Sequence, residues 1–418
     1  MRRLRIALGV LVISSLGPAA PAQNAPALVF EHANVIDGIA LEPARDVTVV
    51  VRDGRIASIS RAPQDLPPGA RRLDLTGHWL LPGLIDAHVH TETMEGAHAM
   101  LATGVTTGRS MFAMHYADVG LRELHRRGDI DLPDLLAAGY PVVPNFVRFE
   151  PDLSALFFDN PALGDLRKDA GIGPEGARRI VRANLERHVD VIKVFATDRA
   201  GVMASDPRRR MLSDEELVAA VAEARAGGVP AAAHAHGDEG AASAVRAGVS
   251  TIEHGTYLSD ATLTLMKQQH VCFVPTLSAT AMEVNAAPGA SPEVVGLAVR
   301  SRGMLPRARD TVRRARRLGV EVIAGADTGY TADDPHRVTD EMAELVAAGM
   351  SPLEAIQAAT ARSAECLRIS KRTGAIREGL EADILVVERN PLDDIDAVRE
   401  VLLVVNDGRI AVNVGGLR

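Results

Sequence analysis

The feature that most constrains the fold is an alternation of short apolar runs with helical patterns between about residues 80 and 370. The apolar runs have the length of buried strands, and the segments between them have the period of amphipathic helices. The candidate strands are residues 81–90, 105–107, 141–144, 189–195, 229–234, 250–254, 271–276 and 320–327. Eight such units close naturally into a barrel, whose chemistry sits at the carboxyl ends of the strands.

The two ends of the chain have a different pattern. Residues 27–80 and 372–418 consist of short β-rich runs, and Asp53-Gly54 and Asp407-Gly408 each predict a tight hairpin. We therefore expect a (β/α)8 TIM barrel over residues 81–371 and a small β-sandwich domain built from both termini.

The first 22 residues predict a secretory signal peptide. Basic residues precede a short apolar run, and Ala20-Pro-Ala22 supplies a cleavage site. This predicts a periplasmic or secreted protein. The two cysteines, Cys272 and Cys366, are too few for a disulfide scaffold. We expect two buried thiols, and a single bridge is the alternative.

Charge and composition restrict the classes of partner that the protein is expected to bind. The formal net charge of −8 disfavours nucleic acid, and the apolar run near the start is too short to span a membrane. A small-molecule substrate is the expected partner, and a homo-oligomer is left open.

Two histidines close the first candidate strand. In Leu81-Pro-Gly-Leu-Ile-Asp-Ala-His-Val-His90, His88 and His90 are two residues apart and can project from the same face of a strand. Paired neutral imidazoles suit a divalent cation such as zinc, although such a pair alone can also be a packing feature.

Lys193 lies inside the fourth apolar run, where a free ammonium is costly to bury. One interpretation is a salt bridge at the barrel mouth. The other is a carbamate formed from carbon dioxide, an anion whose two oxygens can bridge two metals.

Three further histidines end the fifth and sixth runs. His234 and His254 are predicted metal ligands, and His236 is predicted to face the substrate or to support a ligand. A core histidine is the alternative for His254. Glu253 alternates to the opposite face of its strand and is expected to be structural.

Asp327 ends the eighth run. It is either a helix cap or a metal ligand that also takes the proton from a bridging water. Zinc brings the pKa of bound water towards ~7, so a metal-bridging hydroxide could attack a carbonyl while Asp327 moves the proton to the leaving group.

These motifs together resemble the amidohydrolase superfamily, in particular its imidazolonepropionase-like and Xaa-Pro dipeptidase-like metal-dependent hydrolases. The similarity covers residues 27–415. Its motifs are Pro82-Gly-Leu-Ile-Asp-Ala-His-Val-His90, Gly104-Val-Thr-Thr107, Ile192-Lys-Val194, Ala233-His-Ala-His-Gly237, Ile252-Glu-His-Gly-Thr-Tyr-Leu258, Val274-Pro-Thr276, Ala324-Gly-Ala-Asp327 and Ala358-Ala-Thr360.

The resemblance implies a distorted (β/α)8 barrel with the two-ended β-sandwich, and it implies a binuclear zinc centre. His88, His90 and Asp327 would hold the inner Zn²⁺, and His234 and His254 the outer one. Lys193, as N6-carboxylysine, would bridge the two ions. The chain departs from the family pattern at Gly108-Arg-Ser-Met111, where a variation on Val-Arg-Asp is expected, and at His236, where many relatives carry tyrosine.

Four further residues are candidates for roles beside the predicted metal ligands. His236 and Tyr257 are candidates for both catalysis and substrate binding, and Tyr140 and Arg199 are candidates for substrate binding. An arginine could clamp a substrate carboxylate, although solvated surface charge is the alternative.

The predicted function is hydrolysis of a peptide-like amide in a dipeptide or N-acyl amino acid. Hydrolysis of a lactone, another ester or a mycotoxin-type aryl amide is the alternative on the same site. A non-catalytic binding protein and a mononuclear deaminase are less well supported, because all six ligand positions are filled and Lys193 is present.

Overall fold

A computed structural model describes residues 26–61, 66, 68–128, 130–144 and 172–417. The predicted signal peptide lies outside these residues. Strands and helices alternate through the middle of the chain, so the fold is mixed α/β.

The described part of the chain contains fifteen strands. In chain order they are β1 Leu28–Val35, β2 Ala44–Arg52, β3 Arg55–Ser60, β4 Arg71–Asp74, β5 Trp79–Pro82, β6 Leu84–Val89, β7 Val105–Ser110, β8 Asp134–Leu136, β9 Ile192–Phe195, β10 Ala231–Ala235, β11 Thr251–His254, β12 Cys272–Val274, β13 Ile384–Val387, β14 Val401–Asn406 and β15 Arg409–Asn413.

The described α-helices lie mainly between these strands. They are α1 Met94–Ala102, α2 Ala117–Arg127, α3 Gly173–Glu186, α4 Asp214–Ala226, α5 Asp238–Ala247, α6 Asp260–Gln268, α7 Leu277–Met282, α8 Pro292–Leu318, α9 Val338–Ala347, α10 Pro352–Ala358 and α11 Ala361–Cys366. Two short 3₁₀ turns cover Met114–Tyr116 and Ile395–Arg399. Among the described helices, none combines the length and the apolar character needed to cross a bilayer.

Strands from both ends of the chain meet in one eight-stranded sheet. Its order is β15-β14-β13-β5-β1-β2-β3, and β4 also pairs with β1. Asp53 and Asp407, each followed by glycine, have positive φ angles of 51°, and both predicted hairpins form there. Alternate residues of this sheet, including Phe30, Val49 and Ile384, form its own apolar core.

Gly83 carries the chain from the terminal sheet into the parallel strands. A Cβ at this position would lie 2.2 Å from Oγ1 of Thr106. Any side chain would therefore collide with β7, which explains the glycine between β5 and β6.

The parallel strands form two sheets, β6-β7-β8 and β9-β10-β11-β12. Parallel bridges join residue 142 to 194, residue 273 to 322 and residue 89 to 328. The third parallel strand lies at residues 134–136 and not at 141–144 as predicted. Residues 134–136 pair with β7, while Val142 alone exchanges backbone hydrogen bonds with Lys193 and Phe195 of β9.

The helix before β10, α4, begins and ends at residues with local capping signals. Ser213 accepts a hydrogen bond from the backbone of Glu216, whose side chain accepts one from the Ser213 backbone, and the two bonds form a capping box. Gly228, with a φ of 75°, follows the helix and turns the chain into β10.

The expectation of two free thiols is wrong. Cys272 at the start of β12 and Cys366 at the end of α11 form a disulfide with an S–S distance of 2.07 Å. The two elements are 94 residues apart in sequence, and only the folded topology brings their sulfurs together.

Candidate metal centre

The six predicted ligand side chains lie around one cavity. This cavity has a volume of about 260 Å³, and it opens at the carboxyl ends of the parallel strands. The six are His88, His90, Lys193, His234, His254 and Asp327. A larger cavity of about 710 Å³ lies at the opposite ends of the strands, beside the disulfide, and no predicted site residue lines it.

Asp327 joins three of the histidines. Its Oδ1 atom lies 3.3 Å from Nε2 of His88 and 3.0 Å from Nε2 of His90, and its Oδ2 atom lies 3.8 Å from Nδ1 of His254. Burial alone would raise the pKa of this carboxyl. The neighbouring histidines nevertheless hold the pKa of Asp327 well below its ordinary value, so Asp327 is ionised.

His234, His236 and His254 form a second group. The ring centroids of His234 and His254 are 4.4 Å apart, and those of His236 and His254 are 4.7 Å apart. Each offers a nitrogen within 4.8 Å of the others. Burial, more than their mutual repulsion, lowers the pKa of His234 and of His254 well below the ordinary value. Burial also lowers the pKa of His236, to about 3. All three rings are therefore neutral and have lone pairs available.

Hydrogen bonds orient the rings of His88, His254 and His236. Nδ1 of His88 lies 2.8 Å from Oε2 of Glu253, and Nδ1 of His254 lies 2.7 Å from Oγ1 of Thr276. Nδ1 of His236 bonds to the hydroxyl of Thr256 at 3.0 Å. Partners of this kind set the tautomer and the orientation of metal-binding imidazoles.

Glu253 faces the interior and does not point away from it as predicted. Besides His88, its carboxylate accepts hydrogen bonds from Arg109 at 2.9 Å and from Thr251. Arg109 is also buried, and it donates to Thr251 and to the backbone carbonyl of Ala87. Burial opposes ionisation of Glu253, but Arg109 and His88 lower its pKa to about 2.

The backbone conformation at His254 explains how Glu253 and His254, although adjacent in sequence, both face the interior. Its φ is 71°, in the left-handed region that residues other than glycine seldom adopt. The alternation of a regular strand therefore ends at Glu253. Thr276 and Asp327 are also left-handed, with φ values of 47° and 62°. Backbone strain of this kind clusters at functional sites.

Lys193 is buried without a salt bridge or hydrogen bond at its ammonium among the described residues. Its Nζ atom lies 5.4 Å from the ring centroid of Phe195, and the side chain is 1% exposed. Burial lowers the pKa of Lys193 to about 8, while Glu253 and Asp327 act in the opposite direction. The neutral fraction of this amine near neutral pH is therefore larger than that of an ordinary lysine.

The four predicted substrate contacts separate into two pairs. His236 and Arg199 line the cavity. Tyr140 is buried, and its hydroxyl accepts a hydrogen bond from the backbone of His115 at 2.9 Å, so its ring belongs to the core. Tyr257 lines a separate cleft with Pro306 and Arg307. Neither tyrosine is among the residues lining the metal-side cavity.

Two acids at or near the cavity were not predicted as functional. Glu253 was misplaced because regular alternation does not hold at residue 254. Glu283 directly follows α7, the helix after β12, and lines the cavity. It carries no motif, and only its position after a strand could have marked it.

The donor set fits divalent metal ions. Imidazoles and an ionised carboxylate converge in two groups, and His254 belongs to both. A buried lysine with no anionic partner among the described residues lies in the same cavity. Zinc prefers nitrogen and oxygen ligands of this kind.

Comparisons with known proteins agree with this arrangement. The model of the amidohydrolase family matches residues 79–411. Ochratoxinase from Aspergillus niger is 30% identical in an alignment that covers 86% of this chain and 81% of the fungal protein. The matches confirm the family resemblance read from the motifs.

Two solved structures have the same fold. A Xaa-Pro dipeptidase with bound methionine superposes with a TM-score of 0.82 and 27% identity, covering 92% of this chain and 99% of that one. A putative prolidase from Bifidobacterium longum gives a TM-score of 0.80 and 30% identity, covering 92% and 94%.

Proposed function

The chain belongs to the amidohydrolase family and is a hydrolase acting on carbon–nitrogen bonds, and from this premise we propose that it is a zinc-dependent enzyme cleaving a dipeptide or N-acyl amino acid. The observation that carries the proposal is the convergence of six ligand side chains on one cavity. Similarity to dipeptidase structures supports the peptide-like substrate.

In this proposal the ligands divide between two ions. His88, His90 and Asp327 would hold one, and His234 and His254 the other. Lys193 would bridge them after its neutral amine adds carbon dioxide and loses a proton. His236 is close enough to His234 and His254 to join the second group, and the substrate-facing role predicted for it is the alternative. When bound, the metals would lower the pKa of water and polarise the substrate carbonyl.

Residues of this chain would carry out the remaining steps. Asp327 is ionised and accessible from the cavity, so it can take a proton from the attacking water and deliver it to the leaving nitrogen. Arg199 lines the same cavity and can bind a substrate carboxylate by donating hydrogen bonds to it. Glu253 and Arg109 hold the ring of His88 in place throughout.

The proposal extends to architecture and location. The parallel bridges at residues 142, 322 and 328 support closure of the central strands into a distorted (β/α)8 barrel. The terminal strands would form the predicted sandwich. Residues 1–22 would direct the chain to the periplasm or the medium.

A second candidate is hydrolysis of an aryl amide of the mycotoxin type, with lactones and other esters as related substrates. Similarity to ochratoxinase over most of both chains favours the aryl amide. The same metal ligands would serve all of these reactions.

A parallel substrate screen tests the proposal. The zinc-loaded enzyme, supplied with bicarbonate, is assayed against dipeptides, N-acyl amino acids, aryl amides and lactones, with Lys193→Ala as the control. Turnover of dipeptides or N-acyl amino acids that is lost in the control supports the proposal. Turnover of aryl amides or lactones alone transfers it to the second candidate, and no turnover with zinc bound overturns both.

A further inference from the structure

Glu283 is an acid in the cavity wall that the proposed chemistry does not use. It is the residue that ends α7, the short helix following β12 and Thr276. Its Oε2 atom accepts a hydrogen bond of 2.8 Å from the hydroxyl of Ser301 on α8. This bond fixes the carboxylate from behind without neutralising it.

The carboxylate lies against the loop that follows β9. A Cβ at Gly201 would lie 3.6 Å from Oε1 of Glu283, and Arg199, Ala200 and Gly201 line the same cavity. Oε1 therefore lies between this loop and α7. Glu283 is in neither group of ligand atoms that approach within 4.8 Å of one another, so it is separate from the metal-binding set.

The nearby cations are already engaged elsewhere. Arg300 donates hydrogen bonds to the backbone carbonyls of residues 200, 202, 203 and 205 and to the hydroxyl of Ser205. His336 pairs with Asp334 and with a backbone carbonyl. Within the described ranges, no salt bridge joins Glu283 to any basic group.

The two acids of the cavity lining differ in this respect. Asp327 lies 3.0–3.8 Å from ring nitrogens of three histidines, whereas the hydroxyl of Ser301 is the one side-chain partner of Glu283 among the described residues. Burial raises the pKa of Glu283, and the negative charge of Asp327 adds to this effect. A cationic ligand group placed beside Glu283 would remove the unfavourable burial of its charge.

We propose that Glu283 is a specificity-determining residue that binds a positively charged amine of the substrate. The inference rests on the proposed amide-hydrolase function and narrows its substrate class. Arg199 on the adjoining loop would meet the substrate carboxylate, so the cavity selects a substrate with both charges. The amine is either the free α-amino group of a dipeptide or the side chain of a basic residue.

Three nearly isosteric substrates separate these sources. Propionyl-norleucine has no cation, alanyl-norleucine adds an α-amine, and propionyl-lysine adds only a side-chain amine. Steady-state kinetics are measured for the zinc-loaded wild type, for Glu283→Gln and for Glu293→Gln. Glu293 is an exposed acid in the first turn of α8, and it serves as the matched control.

The wild type should show kcat/KM at least about tenfold higher for one cationic substrate than for propionyl-norleucine, as expected for a charge-assisted contact. Glu283→Gln should abolish that preference, mainly through KM, and should leave propionyl-norleucine within about threefold of the wild type. Glu293→Gln should behave as the wild type. The cationic substrate that loses its advantage identifies which amine is bound.

Three results would overturn the inference. A wild type without a cation preference contradicts it, as does an equal loss on all three substrates in Glu283→Gln. Loss of bound zinc in that variant, measured by metal analysis, would assign Glu283 to the metal centre instead. In these cases hydrolysis of propionyl-norleucine by the wild type leaves the proposed function standing. If the wild type hydrolyses none of the three substrates, this inference and the proposed function are both overturned.

Discussion

Oε2 of Glu253 lies 2.8 Å from Nδ1 of His88, and the two side chains are almost completely buried. The contact spans the interior from β11 to β6, and Arg109 of β7 neutralises the carboxylate. Three strands thus fix one ring, and Nε2 of His88 is left facing Asp327. A histidine oriented in this way is prepared for a metal before the metal arrives.

Glu253→Gln should weaken zinc binding by about 10- to 100-fold, because the amide cannot hold the His88 imidazole as a carboxylate does. Affinity is measured by competition with a chelator. Since the single change leaves Arg109 buried without its anion, Arg109→Met with Glu253→Gln is made in parallel. Glu215→Gln, an exposed acid in the first turn of α4, is the control. Unchanged zinc affinity in both Glu253 variants would contradict the positioning role.

Lys193→Ala should lower activity by roughly 10²-fold or more, because the bridging charge and the metal position are lost together. Zinc content should fall from two ions per chain towards one. Lys267→Ala removes an exposed lysine and should change neither value. Two tightly bound zinc ions and near-normal turnover in Lys193→Ala would exclude a bridging carbamate.

Thr276→Val should weaken the binding of the metal ion that His234 and His254 are proposed to hold. The substitution keeps the shape of the side chain but removes the hydroxyl that bonds to Nδ1 of His254 at 2.7 Å. We expect about a tenfold weaker affinity for one of the two ions and little change for the other. Titration with cobalt, followed by its visible absorption, resolves the two binding steps. Equal weakening of both steps would show that the hydroxyl acts on the whole site.

Glu381→Gln should stabilise the folded chain at alkaline pH. Burial, together with Asp383 and Asp407, raises the pKa of Glu381 to about 7, against the effect of Arg372. The folded state therefore holds this proton more tightly than the unfolded state, and the unfolding free energy falls as pH rises from about 4.5 to 7.

The size of this effect is on the order of 1–3 kcal/mol. Urea unfolding at pH 5 and pH 8 measures it, as the difference in pH dependence between the variant and the wild type. Glu388→Gln, at an exposed position, should retain the wild-type slope. If the Glu381 variant also keeps that slope, Glu381 does not hold a proton in the folded state.

Reduction of the disulfide between Cys272 and Cys366 should lower stability by roughly 4 kcal/mol, given its sequence separation of 94 residues. The double variant Cys272→Ser with Cys366→Ser should unfold as the reduced wild type does. It should also be insensitive to reductant. Identical unfolding curves for the wild type with and without reductant would show that the bridge contributes nothing.

Much of the fold could be predicted from sequence because the strand pattern, the helix pattern and the positions of the polar residues all indicate the same arrangement. Apolar runs alternate with helical periods, and the polar residues that end the runs fall at one end of the strands. His88, Lys193, His234 and Asp327 could therefore be placed together without coordinates. The Asp-Gly pairs likewise predicted both hairpins.

The remaining features depend on information that local pattern does not hold. A left-handed residue at position 254 breaks the alternation that would have placed Glu253 outside. Tyr140 and Tyr257 follow strands and are polar, but the direction of an aromatic ring depends on neighbours distant in sequence. The disulfide likewise follows from the docking of α11 beneath β12, which no spacing of two cysteines reveals.

The order of synthesis has a consequence for the terminal sheet. Leu80 of β5 pairs with Val386 of β13, so the ribosome makes one partner about three hundred residues before the other. At translation rates of 5–20 residues per second, the apolar edge of β5 waits about 15–60 seconds for its neighbour. An open edge of that kind invites association with other nascent chains. The last strands made thus close the structure, and chaperones that shelter unpaired edges should govern how much of this protein reaches its folded state.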